Sequence, residues 1–484
     1  MKILVLNCGS SSVKFQLINM DDESVCAKGV VEKIGSSDAI LQYQAVRKNK
    51  MREVREVQNH ETAIEIVLSM LLHPQHGVIK DKREIHGIGH RVVHGGEAFS
   101  DSVLITENVK SAIRKCIQFA PLHNPHNLSG IEACEALLSG IAQVAVFDTA
   151  FHHTIPQKAF IYGLPYALYE KLGIRKYGFH GTSHRYVAMK AAEALKQPIE
   201  KLKMITCHLG NGASITAVDG GRSVDTSMGF TPLEGLIMGT RSGSIDPALV
   251  PYIMEHEKLT AKQIDTILNK NSGLLGLTET TNDMREIISE ARRGNERHKL
   301  ALDIYCYAIK KYIGSYSATL GGLHAIVFTG GIGENSHYIR ALSLENLEAF
   351  GVQIDHAKNK ANKLDISAGK VKILVVPTNE ELAIARDTCR VFESGVHTDE
   401  TTEQEEIVTK ELSLLTEEDK AELILLWAED PKIKIGDLTY KLNMKIGKNI
   451  QIQTVQRELE ILGLIKASDN RKAHIVKEKK NGKN

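Results

Sequence analysis

Twice in this chain a short apolar run ends in a turn of small residues and passes at once into a second run. Residues 2–6 lead through Asn7-Cys8-Gly9-Ser10-Ser11-Ser12 to the alternating Val13, Phe15 and Leu17. Residues 203–207 lead through His208-Leu209-Gly210-Asn211-Gly212 to the strand-like 213–218, and Asp219-Gly220-Gly221-Arg222 then turns into a third run. A short apolar run bounded by turn signals reads as a buried strand, and alternation at period two reads as its half-buried neighbour. The motif is therefore a β-hairpin, present once in each half. A strand followed by glycines recurs at Ala325-Ile326-Val327-Phe328 and Thr329-Gly330-Gly331-Ile332-Gly333-Glu334-Asn335. Helical patterns separate these runs up to about residue 395, so an α/β architecture with two related lobes is expected, at 1–150 and 151–380. Residues 372–376 form a further strand running into Pro377-Thr378-Asn379-Glu380-Glu381. There Thr378 or Asn379 is placed to cap a helix over 381–392, and the segment 381–395 rejoins the first lobe.

With 484 residues, 42% hydrophobic and 25% charged, the chain has the composition of a globular protein of two to four domains. Its net charge of +1 gives no overall field to gather DNA or a membrane surface. Its 7 cysteines include no C-x-x-C pair, which reads as reduced thiols. No N-terminal leader pattern and no membrane-spanning apolar run is present, so a cytoplasmic location without a membrane partner is expected. Composition changes after residue 395. From Asp399 to Asp430 stand 12 acidic residues against 2 lysines, and from Pro431 to Asn484 stand 13 Lys and Arg against 5 acidic residues. Residues 396–411 read as an acidic linker and 412–484 as a separate small domain.

Small-residue turns after strands expose backbone N–H groups and let phosphate oxygens approach. Neither the G-x-x-x-x-G-K-[ST] loop nor a G-x-G-x-x-G after the first strand occurs, which excludes the two commonest nucleotide-binding patterns. Phosphoryl transfer needs cations around the moving group. The candidates in glycine-flanked loops are Arg91, in His90-Arg91-Val92-Val93-His94-Gly95-Gly96-Glu97, Arg241, in Gly239-Thr240-Arg241-Ser242-Gly243, and His180, in Gly178-Phe179-His180-Gly181-Thr182-Ser183-His184. A planar guanidinium fork suits carboxylate and phosphate alike. Asp148 ends the apolar run 144–147, where α/β proteins place ligands, although the same position also suits a helix cap. His152-His153 and His123-x-x-His126 lack the partners of a zinc site.

Together these motifs, with Phe147-Asp148-Thr149-Ala150-Phe151-His152 and Thr378-Asn379-Glu380-Glu381, closely resemble the acetate kinase family over about residues 1–396. The resemblance implies two ribonuclease-H-like lobes, as in actin, sugar kinases and heat-shock chaperone ATPases. It implies a homodimer that transfers the ATP γ-phosphoryl group to acetate, with Mg2+ as cofactor and Mn2+ as the alternative metal. Asn7 and Glu380 would lie on the metal side. Lys14, the turn His208, Leu209, Gly210, Asn211 and Gly212, the segment Asp283, Met284 and Arg285, and the turn Gly331, Ile332, Gly333, Glu334 and Asn335 would hold ATP. Arg91 would bind the substrate's carboxylate or phosphate, and Val93, Leu122, Phe179 and Pro232 would form a pocket for its methyl. Asp148 would be the catalytic acid/base, with His180 and Arg241 stabilising the transition state. A carboxylic acid is already ionised at pH 7, so we read Asp148 as an orienter rather than a base. A propionate or butyrate kinase, and a nucleotide sensor signalling through the tail, are the alternative readings. The tail itself resembles a winged helix-turn-helix. Its helices would be 412–427, with Leu415, Leu423, Leu426 and Trp427 on one face, then 435–442 and 454–463, followed by a hairpin around 466–471. Gln451, Gln453, Thr454, Gln456 and Arg457 would read a groove, with Arg471 and Lys472 on the wing; DNA and a protein partner are both open.

Overall fold

The computed structural model describes residues 1–394, 417–430 and 435–446, and singly Ile433, Val455, Leu459 and Leu464. The chain divides into two compact units, Met1–Gly395 and Val396–Asn484.

The first unit holds two sheets. The first comprises β1 (Lys2–Gly9), β2 (Ser12–Asn19), β3 (Ser24–Glu32), β4 (Ser36–Ala45), β5 (Met51–Val57), β6 (Gly87–Val92), β7 (Val103–Leu104) and β8 (Gln143–Phe147). The second comprises β9 (Lys203–Leu209), β10 (Ala213–Asp219), β11 (Arg222–Thr226), β12 (Ala325–Thr329) and β13 (Lys372–Val375). Their orders are β5-β4-β3-β2-β1-β6-β8-β7 and β11-β10-β9-β12-β13. The run β3-β2-β1-β6-β8 therefore repeats as β11-β10-β9-β12-β13. In both, an antiparallel hairpin leads and two parallel strands follow. The β1–β2 hairpin pairs Lys2 with Asn19 through Gly9 with Ser12, and β9–β10 pairs Lys203 with Asp219 through Leu209 with Ala213. Strands buried on both faces read as continuous apolar runs, which is the character of β1, β8 and β12.

Helices cover both faces of each sheet. Ile3, Val5, Val144 and Val146 pack with Leu382, Ile384 and Ala385 of the helix Glu380–Glu393. Close approach depends on Gly89, where a Cβ would stand 2.5 Å from Thr388 Oγ1 and 2.6 Å from Ile384 Cγ2. On the second sheet, Met204, Val218, Ala325 and Val327 pack with Val187, Ala188 and Ala191 of the helix Gly181–Leu195. The other face holds Tyr305, Ile309 and Ile313 of the helix Glu296–Thr319. Asn379, not Thr378, caps the helix Glu380–Glu393, its Oδ1 accepting from Leu382 N at 3.0 Å. The carboxyl ends of β1, β6 and β8 deliver Asn7, Arg91 and Asp148, and those of β9, β12 and β13 deliver the turns at 208–212, 330–335 and 376–379.

In the second unit the helices Glu417–Glu429 and Ile435–Ile446 share an apolar cluster of Leu423, Leu426, Leu438, Leu442, Val455 and Leu459. The expected linker 396–411, the third helix apart from Val455 and Leu459, and the hairpin lie outside the described residues.

Candidate active site

One wall of the site is built on β6 and β8. Arg91 donates to Asp148 through Nε at 2.9 Å and Nη2 at 2.7 Å, and its Nη1 lies 3.7 Å from Glu380 Oε2. The side chains of Arg91, Asp148 and Glu380 are 20%, 2% and 18% exposed, so the charges meet largely out of water. Burial works against the Arg91 charge, but Asp148 and then Glu380 more than offset it and hold the guanidinium above its ordinary range. Burial pushes the Asp148 carboxyl up against the pull of Arg91, and the two-pronged bond favours its ionised form. Asp148 is thus no helix cap: Thr149 begins the following turn, while the Asp148 carbonyl accepts from Gly181 N at 2.9 Å. Asn7 and Arg91 follow directly on Leu6 and His90, the last pair of the parallel β1–β6 register. Asn127, 2% exposed, joins those strand ends by accepting from Val93 N at 3.0 Å and donating to the Cys8 carbonyl at 2.8 Å.

The opposing wall is built on β9, β10 and the start of the helix Gly181–Leu195. His180 precedes that helix at φ 58, a left-handed conformation uncommon for a residue with a Cβ. Its ring stacks on His208 at 4.3 Å. A Cβ on Gly212 would lie 3.5 Å from His180 Nε2 and 3.7 Å from Arg241 Nη1, so the turn, the histidine and the arginine converge. Arg241 Nη1 donates to the Pro232 carbonyl at 3.4 Å and contacts Met238 Sδ at 3.8 Å, and among the described residues no carboxylate pairs with it. Burial lowers its pKa with nothing to oppose it. Burial also holds His180 well below its ordinary value and lowers His208, so both are neutral. His123 is pushed down to about 4 by burial and by its nearness to Arg241 and Arg91. His126 instead stacks on His60 at 5.1 Å, and His152 bonds Ser223 and the Phe179 carbonyl. Among the described residues no cluster of three or more His, Cys, Asp or Glu could hold a metal.

Of the expected methyl pocket, Val93 packs against the cluster containing buried Phe179, and Pro232 sits at Arg241. Leu122 is 48% exposed.

A cleft of about 770 Å³ opens beside this wall, lined by Asn211, Asp283, Met284, Arg285, Gly331, Ile332 and Asn335 among others. Asn282 Nδ2 donates to Asn211 Oδ1 at 2.9 Å across its mouth, and Asp283 is pulled down to about 2 by its bonds from Arg285. The remaining expected nucleotide residues have different places. Leu209 is buried under Gly330, whose Cβ would stand 2.8 Å from the Leu209 carbonyl at a φ of 76. Glu334 turns inward, Oε1 accepting from Gly330 N at 3.0 Å and Thr378 N at 3.1 Å. Gly333 gives its carbonyl to buried Arg340, Gly210 N bonds the Gly212 carbonyl, and Lys14 lines a separate hollow with Lys28, Lys50 and Glu381. The sequence reading missed Ile288, Arg292 and Tyr338 in the cleft. Met284, Ile288 and Arg292 share one helical face at four-residue spacing, and that was the available signal.

Two α/β sheets of repeated strand order, with a cleft and converging arginine and histidine side chains at their strand ends, are the arrangement of a phosphotransferase. A family model described as the Acetokinase family matches residues 2–386. The acetate kinase of Caldicellulosiruptor saccharolyticus is 56% identical over 399 residues, covering 81% of this chain and 100% of its own. The crystal structure of Porphyromonas gingivalis acetate kinase is 47% identical with a TM-score of 0.78, covering 81% of this chain and 99% of that one. A propionate kinase structure from Francisella tularensis is 45% identical with a TM-score of 0.77, over 81% and 99%. The chain belongs to the acetokinase family. It is an enzyme, a kinase whose phosphoryl acceptor is a carboxylate. The family model stops short of the second unit.

Proposed function

We propose that the first unit reversibly transfers the γ-phosphoryl group of ATP to acetate in one in-line step. Family membership supports the activity, and the observation that carries the mechanism is Arg241, a half-buried cation that pairs with no carboxylate among the described residues, beside His180 and the Gly212 turn. The acceptor is already an anion at pH 7 and needs no base. The barrier is the approach of anion to anion, which preorganised cations and donors lower. Arg241 and His180 bind the transferring group from the second wall. Arg91 faces it from the first, held in orientation by Asp148. Val93, Phe179 and Pro232 enclose the methyl, with Leu122 at the rim. ATP occupies the cleft between Asp283-Met284-Arg285 and the 331–335 turn.

Mg2+, or Mn2+ in its place, fits the donors available: Glu380 and Asn7 offer only oxygen to a hard cation, and such ions take one or two carboxylates plus substrate phosphates. When bound, the ion would supply positive charge to the nucleotide phosphates. The fold as two ribonuclease-H-like lobes, the homodimer and a cytoplasmic location belong to the same proposal. The repeated strand order, the exposed apolar stripe Leu300, Ile304 and Tyr307, and 7 free cysteines support them in turn. No helix among the described residues is long and apolar enough to cross a membrane.

The test is ATP-dependent formation of acyl hydroxamate from hydroxylamine with acetate, propionate or butyrate. Product with acetate, abolished by withholding divalent metal, is expected. Absence of product with every acid would overturn the kinase reading.

For the second unit we propose a winged-helix module that binds duplex DNA weakly. Its support is the shared apolar cluster that reaches Val455 and Leu459, and the excess of 13 basic over 5 acidic residues from Pro431 onward. Mobility shifts of the full chain at about 50 mM salt, fading steeply as salt rises, are expected. No shift would redirect the search to a protein partner.

A further inference from the structure

Beneath His180 lies a second histidine that the mechanism above does not use. His184 is in the helix Gly181–Leu195 and is fully buried, as are Thr206 on β9 and Ser214 on β10. His184 Nδ1 lies 2.7 Å from Thr206 Oγ1, and its Nε2 lies 2.7 Å from Ser214 Oγ. Ser214 Oγ is in turn 2.9 Å from His180 Nδ1. A continuous series, Thr206–His184–Ser214–His180, thus runs from the interior of the second sheet to the ring that faces Gly212 and Arg241.

Burial holds both imidazoles neutral. A neutral imidazole has one N–H and one bare nitrogen, and a hydroxyl has one O–H. A hydroxyl oxygen can accept from two donors, but among the described residues the hydrogen-bond partners of fully buried Ser214 Oγ are these two ring nitrogens, so its one O–H goes to one of them and the series points one of two ways. In one, Thr206 donates to His184 Nδ1, His184 Nε2–H donates to Ser214, and Ser214 donates to His180 Nδ1. His180 then presents Nε2–H toward Gly212 and Arg241. In the other every bond reverses, and His180 presents a bare lone pair. A lone pair repels a phosphoryl oxygen, whereas an N–H binds it.

We propose that His184 is a positioning residue for the transfer: acting through Ser214, it holds His180 in the tautomer that offers Nε2–H to the transferring group. This rests on the reading of His180 as a donor to that group. A satisfied core histidine would stabilise the same packing but would leave the tautomer of His180 untouched when replaced.

Two replacements separate these roles in the full-length enzyme. In His184→Gln the amide N–H reaches the place of Nε2 and keeps the bond to Ser214. In His184→Asn the shorter side chain reaches only toward Thr206. We expect His184→Asn to lower kcat on the order of 10²-fold, the scale of one lost preorganised donor, with KM for ATP and acetate unchanged. His184→Gln should restore most of that loss. In a His180→Ala background, His184→Asn should cost nothing more. 15N spectra of histidine-labelled enzyme should show His180 protonated on Nε2 in the wild type and in His184→Gln, and a mixture in His184→Asn. If His184→Asn does not fold, Ser214→Ala breaks the same link and is read in the same way. Wild-type His180 protonated on Nδ1, or losses from His180 and His184 that simply add, would overturn the proposal. Full activity in His180→Ala alone would remove the underlying reading, while the 15N spectra would still judge the relay.

Discussion

On the first sheet Arg91 is held between Asp148 and Glu380, while on the second Arg241 meets only a carbonyl and a thioether among the described residues. The strand order beneath them is the same. The wall of Asp148, Arg91 and Glu380 sets two carboxyl groups around one cation and closes that cation internally, which suits it to face a metal. The wall of Arg241 with neutral His180 and His208 keeps one cation open. An unpaired cation pays for its desolvation until an anion arrives, so that wall is made to receive one. A duplicated scaffold has thus been given two different electrostatic tasks.

The largest effect that could break this comparison is on turnover. Arg241→Ala should lower kcat/KM by about 10²- to 10³-fold, the scale of losing one preorganised transition-state donor, and Arg91→Ala should fall in the same range. Steady-state kinetics giving wild-type turnover for either would remove that arginine from its wall. The next concerns the pocket proposed between the walls, to which Val93 would contribute from the first and Phe179 and Pro232 from the second. Because one methylene in an apolar pocket is worth about 10- to 200-fold, propionate should react less well than acetate by that factor. Val93→Ala should narrow the gap in competition assays. Preference for butyrate would contradict the pocket while leaving the kinase class intact.

A smaller effect lies in pH. Burial lowers His90 and His152 to about 4 and His94 to about 3, against about 6.5 in an unfolded chain. The unfolded state therefore takes up protons first. The stabilisation is complete above about pH 6.5 and is lost progressively as pH falls toward 4. Calorimetry should show Tm declining through that window, and a Tm independent of pH there would contradict the neutral buried histidines. The smallest effect expected is none: ending the chain at residue 395 should leave kcat/KM unchanged, since each wall lies within the first unit. A large loss would show that the second unit acts on the cleft.

The two hairpins were legible because buried strands and small-residue turns are local patterns, and β1–β2 and β9–β10 lie where the runs 2–17 and 203–218 place them. Asp148 was half legible. Its position at the end of β8 could be read, but the choice between cap and ligand depended on Arg91, 57 residues away. Glu334 illustrates what was not legible. Within the glycine turn it reads as a nucleotide contact, yet its carboxylate faces the Thr378 amide across 44 residues of chain. Lys14 alternates outward on β2 as the pattern implies, but which hollow it lines depends on β3 and β4 beside it. Hydrogen bonds such as Ser183 to Thr378, 195 residues apart, follow from how elements pack rather than from either local sequence.

The most direct test of the difference between the walls is equilibrium unfolding of Arg91→Ala and Arg241→Ala side by side at pH 7.5. Arg91→Ala strands Asp148, whose side chain is 2% exposed, without its cation. Breaking a buried pair in this way costs about 3–5 kcal/mol. Arg241→Ala strands no charge among the described residues, so its stability should stay within about 1 kcal/mol of wild type. Equal losses in the two variants, or a larger loss in Arg241→Ala, would contradict the account.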